Sequence, residues 1–210
     1  MFWRLAWGGP LLHDASRMDA LLLAAFPPEL AGLDASPPPG WRVACTGVGA
    51  LAAATVTARC LAERRYDRVL FVGTCGAYDD RLAVGDLVAA SAALSVSLDL
   101  LEGRAYRAGP EVVRWPAGWT LPFPAHEVAV TPGVTCTVEG ARRLSQVAAA
   151  EHLELTGVFA AAAAAGVPVA GALAVANRVG PGAHAEWTLN HARVSRKLIE
   201  ALGPVLRGTG

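Results

Sequence analysis

The sequence lacks an excess of either charge: 18 lysine and arginine residues stand against 18 aspartate and glutamate residues. No net field would therefore draw in nucleic acid or an anionic membrane, and a small ligand is expected instead. Charged residues of any sign are scarce at 17%, while hydrophobic ones reach 53%. That balance excludes a disordered chain and favours strands buried on both faces. The four cysteines, Cys45, Cys60, Cys75 and Cys136, form no C-x-x-C pair. Neither a zinc site nor a disulfide framework is indicated, and a reducing cytoplasm fits best. The opening "MFWRLAWGGPLLHD" has no apolar core long enough for a secretory signal, because glycine and proline interrupt it, and no export is expected. At 210 residues the chain suffices for one core, and a single domain over residues 1–210 is the expectation.

Charge is most conspicuously missing from residues 154–177, "ELTGVFAAAAAAGVPVAGALAVAN". The run exceeds the roughly 18 apolar residues that suggest a membrane span. Yet Gly166 is a natural helix terminator and Pro168 lacks the amide hydrogen a continuing helix needs. Alanine and glycine also contribute little transfer free energy, and no basic flank marks an inner side. The run therefore reads as a helix over 155–165, a tight turn, and a buried strand from "VPVAGALAVA". The same grammar appears earlier: "WRVACTGVGA" is a strand entering a Gly-x-Gly turn, "LAAATVTARCLAERR" a helix, and "DRVLFVGTCGA" the next strand and turn. A strand in "AVGDLVAASAAL" and an amphipathic helix in "AEWTLNHARVSRKLIEALGPVL" complete an α/β pattern with a parallel or mixed sheet. Residues 100–130, rich in Pro, Trp and Gly, read as a long irregular segment, a lid or a subunit contact. Near the start, Asp14 reads as the N-cap of a helix in "ASRMDALLLAAF".

In α/β sheets, ligands gather at the carboxyl ends of strands, where glycine turns let backbone approach them. Two such turns occur, Thr46-Gly47-Val48-Gly49 and the "GTCGA" turn containing Thr74, Cys75 and Gly76. Each offers amide N–H groups and a threonine hydroxyl that could cradle an anion, or is an ordinary strand-to-helix turn. The first lacks the third glycine of a dinucleotide fingerprint, Ala52 standing in its place, and no acidic residue follows at the next strand end.

These blocks resemble the core signature of the nucleoside phosphorylase and nucleosidase superfamily. Its pattern runs G-[IV]-G-x-x-x-A-A, then G-[ST]-[CA]-G-[GA], then L-x-[VP]-G-D, matched in order by "TGVGALAAA", "GTCGA" and "LAVGD". Further on, "HLE", "GVP" and "VAN" fall into register with the family's M-E-[GA], [GN]-V-P and S-D motifs. The likeness covers residues 43–91 and 130–190. It implies a three-layer α/β/α fold with a central mixed sheet, and cleavage of the N-glycosidic bond of a purine nucleoside through an oxocarbenium-like transition state. By the same resemblance Glu154 takes the ribose position, where a carboxylate accepts from the vicinal hydroxyls. Read alone, it is a helix-start glutamate favoured by the dipole. Leu153 precedes it in the motif, and Val134 and Thr135 fall where backbone contacts the base.

Asn177 stands where adenine-specific relatives have aspartate. A carboxamide cannot act as the acid, but its oxygen can accept from purine N7–H and its NH2 can donate to O6, which suits hypoxanthine. A strand-end cap is the plainer role. "ANRVGPGAHAEW" is similar to the S-N-x-V-G-x-R-x-x-x-x-W ending of the futalosine hydrolase branch, which releases hypoxanthine on a route to menaquinone. Ala176 replaces the serine, and Gly182, Ala183 and His184 stand where the arginine is expected. Phosphate-using relatives carry an arginine where this chain has Phe71, so hydrolysis is favoured over phosphorolysis. Methylthioadenosine-type nucleosidase, purine nucleoside phosphorylase and a noncatalytic nucleoside-binding homologue are the alternatives.

For the attacking water, "WRLAWGGPLLHDASRMDALL" offers no glutamate in the family's register, leaving Asp14, Asp19 or His13 as substitutes. Trp187, His184 and His191 read as helix packing or as part of substrate closure. The resemblance also implies catalysis without metal or organic cofactor, and a homodimer or higher homo-oligomer.

Overall fold

The computed structural model describes residues 19–208. Strand β1 (Ala20–Ala24) leads through a 3-10 turn at Pro27–Leu30 to β2 (Trp41–Cys45), helix α1 (Ala50–Glu63) and β3 (Arg68–Ala77). Then come β4 (Leu87–Ser95), the single turn α2 (Leu98–Leu101), β5 (Val113–Pro116), β6 (Ala125–Val130) and α3 (Val138–Leu144). The chain closes with β7 (Ala150–His152), α4 (Leu155–Ala165), β8 (Val169–Arg178), α5 (Ala183–Ala201) and α6 (Gly203–Leu206).

The uncharged run divides as expected: α4 ends at Gly166, whose φ of 68° is the left-handed conformation that terminates a helix, and β8 begins at Val169. No described helix is long and apolar enough to cross a membrane. Central strands are buried on both faces, so their side chains alternate between two cores. Leu21, Leu23, Val69 and Phe71 pack with Val158 and Phe159 of α4, whereas Leu22, Ala24, Leu70 and Val72 pack with Val194 and Leu198 of α5. A third cluster joins Leu94, Ala129 and Leu144.

The layered arrangement and the mixed sheet are thus as expected, but the sheet also closes on itself. β3 pairs with β8 along one edge; on its other edge its first residues pair with β1 and its last two, Gly76 and Ala77, with β7. From β8 the pairing runs to β4, β6 and β7 and so back to β3. This ring brings the ends of β3, β7 and β8 together beside those of β1 and β2.

Two sequence expectations fail. The helix expected in "ASRMDALLLAAF" is a strand where it is described, because Ala20–Ala24 is buried between parallel β2 and β3. Tertiary burial there overrides the helix propensity of leucine and alanine. Asp14 and His13 lie outside the described residues. The segment 100–130 contains β5, antiparallel to β4, and β6, parallel to it; Trp115 and Pro116 belong to β5 itself, and the remaining prolines and Trp119 lie outside the strands. Trp119 ties its Nε1 to the carbonyl of Val69 at 3.2 Å.

Candidate functional site

Directly after β1 the 3-10 turn inserts Glu29 beneath the end of β3, where it is only 2% exposed. Its Oε1 accepts from both the amide and the hydroxyl of Thr74, each at 2.8 Å, and its Oε2 from the Ala25 amide at 3.2 Å. Burial pushes this carboxyl up to about 7; the Thr74 hydrogen bonds oppose the rise and the charge of Glu154 adds to it. The Thr74 hydroxyl in turn accepts from Trp187 Nε1 at 3.0 Å. Trp187 lies on α5, packed against Phe26 and stacked on His184 and His191.

A second carboxylate meets the first from the opposite side. Glu154 is the residue on which α4 starts, yet its side chain does not cap that helix. It crosses to the glycine turn after β2, where Oε1 accepts from the Gly49 amide at 2.7 Å. The helix start is met by His152 instead, whose Nδ1 accepts from the amides of Glu154 at 3.0 Å and Leu155 at 3.3 Å. Among the described residues no hydrogen-bond donor reaches Glu154 Oε2. The residue is 5% exposed, so that oxygen is buried without a donor.

Asn177, 7% exposed near the end of β8, faces Gly76 across a register shift in β3. A Cβ on Gly76 would stand 2.9 Å from Asn177 Nδ2, so only glycine leaves room there. One Nδ2 hydrogen goes to the Arg178 carbonyl at 2.9 Å. The turn that follows is held by Glu186, which accepts from the Arg178 amide at 2.6 Å. A third buried carboxylate, Glu151, is fully engaged: it accepts from the Thr135 amide, the Thr135 hydroxyl and the Tyr78 hydroxyl at 2.9, 2.5 and 3.0 Å.

The structure therefore brings Gly49, Thr74, Gly76, Glu154 and Asn177 to one end of the sheet, with Gly47 in the same turn as Gly49. Others take different parts. The Thr46 hydroxyl bonds to the carbonyls of Ala24 and Gly47 and so shapes the turn. Cys75 is buried in the core with its thiol pushed up to about 12 by desolvation, too weak an acid to react. Thr135 spends its amide and hydroxyl on Glu151 rather than on a base, while Val134 beside it is 51% exposed and Leu153 half-buried. Asp19 sits at the far end of β1, where its carboxylate holds Arg64 at 2.7 Å and cannot serve the site. The anion cradle expected at Thr74 exists, but the protein's own Glu29 fills it.

Glu29 is the functional candidate the sequence reading missed. Its signal was present: an apolar "ALLLAA" followed by the turn "FPPEL". With "ASRMDALLLAAF" read as a helix, the glutamate that follows it falls outside the stretch "WRLAWGGPLLHDASRMDALL".

An α/β fold with two buried carboxylates and an amide at its strand ends defines a class, and the comparisons identify it. The profile described as the phosphorylase superfamily matches residues 41–207. The chain belongs to this superfamily and is an N-glycosidase. More particularly, it is 33% identical to the futalosine hydrolase of Streptomyces coelicolor, over 80% of this chain and 81% of that protein. Solved structures share the fold: a 5'-methylthioadenosine/S-adenosylhomocysteine nucleosidase of Helicobacter pylori superposes with a TM-score of 0.80 at 14% identity, covering 91% of this chain and 99% of that one. A futalosine hydrolase mutant of the same species gives 0.74 at 16%, covering 88% and 98%.

Proposed function

We propose that this protein hydrolyses the N-glycosidic bond of a 6-oxopurine nucleoside, with futalosine as the substrate, hypoxanthine and dehypoxanthine futalosine as products, and a cytoplasmic place on a route to menaquinone. The observation that carries the hydrolytic part is Glu29 seated on the Thr74 amide and hydroxyl. A phosphate dianion would need those same donors and would meet a carboxylate in their place, with buried Phe71 instead of a cation nearby. Water meets no such repulsion. A carboxylate raised to about 7 is well matched to accept its proton near neutrality.

The remaining roles follow from the groups left unengaged. Glu154 Oε2 accepts from the ribose hydroxyls and stabilises the positive charge that develops as the C1′–N9 bond lengthens. Water then adds to C1′ and gives its proton to Glu29, while the bonding pair departs with the purine, which takes up a proton from solvent at N7 and leaves as the neutral base. Asn177 receives the base: Oδ1 accepts from N7–H, and the Nδ2 hydrogen not bound to Arg178 donates to O6. A 6-amino purine would set donor against donor there. Gly49, by fixing Glu154, and Trp187, by fixing Thr74, support the carboxylates from behind. By family likeness the working state is a homodimer or higher homo-oligomer, which fits the exposed apolar side chains of Val48 and Leu51 at the glycine turn, 64% and 84% accessible in the single chain. Sedimentation reads it directly.

The test is to incubate the pure protein with futalosine, its 6-amino analogue, methylthioadenosine and inosine, with and without phosphate, and to follow free base by chromatography. Hypoxanthine released from futalosine without phosphate supports the reading. Adenine release would overturn the role of Asn177, a phosphate requirement would overturn hydrolysis, and tight binding without release would make this a nucleoside-binding protein.

A further inference from the structure

The nucleosidase reading uses Glu29, Glu154 and Asn177 and leaves His152 unassigned, although this side chain lies between the two carboxylates and is 4% exposed. Its Nδ1 is fixed by the backbone. The amides of Glu154 and Leu155 both point at it, so Nδ1 carries the lone pair. A proton on Nδ1 would oppose two N–H groups, and a flipped ring would set a C–H against them. Burial lowers the basicity of the imidazole, with the Glu154 charge opposing only in part, and the ring is neutral. The approach of Nδ1 to Glu154 Oε2, 3.2 Å, is therefore a contact between two acceptors and not an ion pair. The single ring proton is on Nε2.

Where Nε2 lies is shown by Gly73. A Cβ built there would be 3.1 Å from His152 Nε2, 3.4 Å from Glu29 Oε1 and 3.0 Å from Phe71 Cε1. Donor and carboxylate thus converge on the same side of the β3 backbone, over a residue without a side chain. The Phe71 ring closes the back, edge-to-face with the imidazole at 5.2 Å. No protein acceptor for Nε2–H occurs among the described residues.

We propose that His152 is a positioning residue for the nucleophile: its Nε2–H donates to the water whose proton Glu29 accepts. A water that donates to Glu29 and accepts from His152 has its remaining lone pair fixed in direction, toward the ribose held by Glu154. Glu29 alone leaves that water free to turn. The backbone cap that α4 requires at Nδ1 sets the tautomer, so one imidazole joins the start of a helix to the reacting water. This role rests on the nucleosidase reading and names a further group within it.

Two variants separate the two ring nitrogens. His152→Asn keeps an oxygen near the Nδ1 position, preserving the cap, and removes the Nε2–H. His152→Gln restores an N–H near the Nε2 position and loses the cap. With futalosine as substrate, His152→Asn should lower kcat tenfold or more with KM changed less than twofold and thermal stability kept, and His152→Gln should recover part of that kcat. A merely structural histidine gives the reverse order, with His152→Asn fully active, and that result would overturn the proposal. Imidazole 15N spectra read the tautomer without substrate: the resonance pair missing in His152→Asn should show a protonated Nε2 and an unprotonated Nδ1 at neutral pH. Protonation at Nδ1, alone or with Nε2, would equally overturn it. An inactive wild type would bring down the nucleosidase reading and this role together, whereas an active wild type with an unimpaired His152→Asn would bring down the role alone.

Discussion

Burial raises the Glu29 carboxyl to about 7, so that near neutral pH it is only partly ionised. As its folded pKa lies at about 7, the active carboxylate forms only as pH rises through that value. The expected kcat/KM profile therefore climbs to a plateau with a midpoint near 7. Glu29→Gln should remove that limb and lower kcat by roughly 10²–10⁴-fold, the usual worth of a general base. A variant that keeps both rate and limb would assign water activation elsewhere. Asn177 makes a different demand, being a specificity residue rather than a base. Asn177→Asp exchanges the amide NH2 for an oxygen that accepts from a 6-amino group, and should shift the ratio of kcat/KM toward 6-amino purines by about 10–100-fold. An unchanged ratio in base-release assays would mean that Asn177 only closes the end of β8.

Among the elements, α1 and α4 form the contact on which the site most depends. Each begins with a residue of the Gly49–Glu154 hydrogen bond, and they cross at Gly157, where an added Cβ would lie 2.0 Å from the Ala50 carbonyl oxygen. That obstacle is backbone and cannot rotate away. Gly157→Ala should destabilise by about 1–3 kcal/mol or more, as overpacking does, and should also raise KM by parting Gly49 from Glu154. Chemical denaturation and kinetics on the same sample would show the two effects together; a loss of stability with unchanged KM would break the link. What the sequence reveals of these elements follows the same physics. The boundary between α4 and β8 was legible because Gly166 and Pro168 act locally. The identity of β1 was not, because "ALLLA" has no period and only its burial between two strands makes it extended. The site divided likewise: Glu154 and Asn177 stand in motifs of fixed spacing, whereas Glu29 reaches Thr74 from 45 residues away and nothing local announces that contact.

The whole molecule carries the consequence of burying titratable groups for chemistry. Glu29 is raised from 4.5 to about 7, so between those values the folded state holds a proton that the unfolded chain has released. Stability is then unaffected below about pH 4.5, falls as pH rises through this window, and levels off above 7. At 1.36 kcal/mol per pKa unit the full cost is about 3 kcal/mol. His152 acts in the opposite direction. Its folded pKa is depressed below 6.5, so the unfolded state takes up the proton first and stability is lost as pH falls below that value. Below pH 6.5 the two trends oppose each other and partly cancel in the wild type. Glu29→Gln removes one of them. Urea midpoints measured from pH 4.5 to 8 should show the variant gaining on the wild type by about 3 kcal/mol across the range, with most of the gain complete by pH 7. The alkaline end is where the enzyme should be most active, so the form that works would also be the less stable one. Wild-type and variant curves that run parallel would mean that Glu29 is ionised throughout, and the midpoint near 7 expected for activity would then have to come from another group.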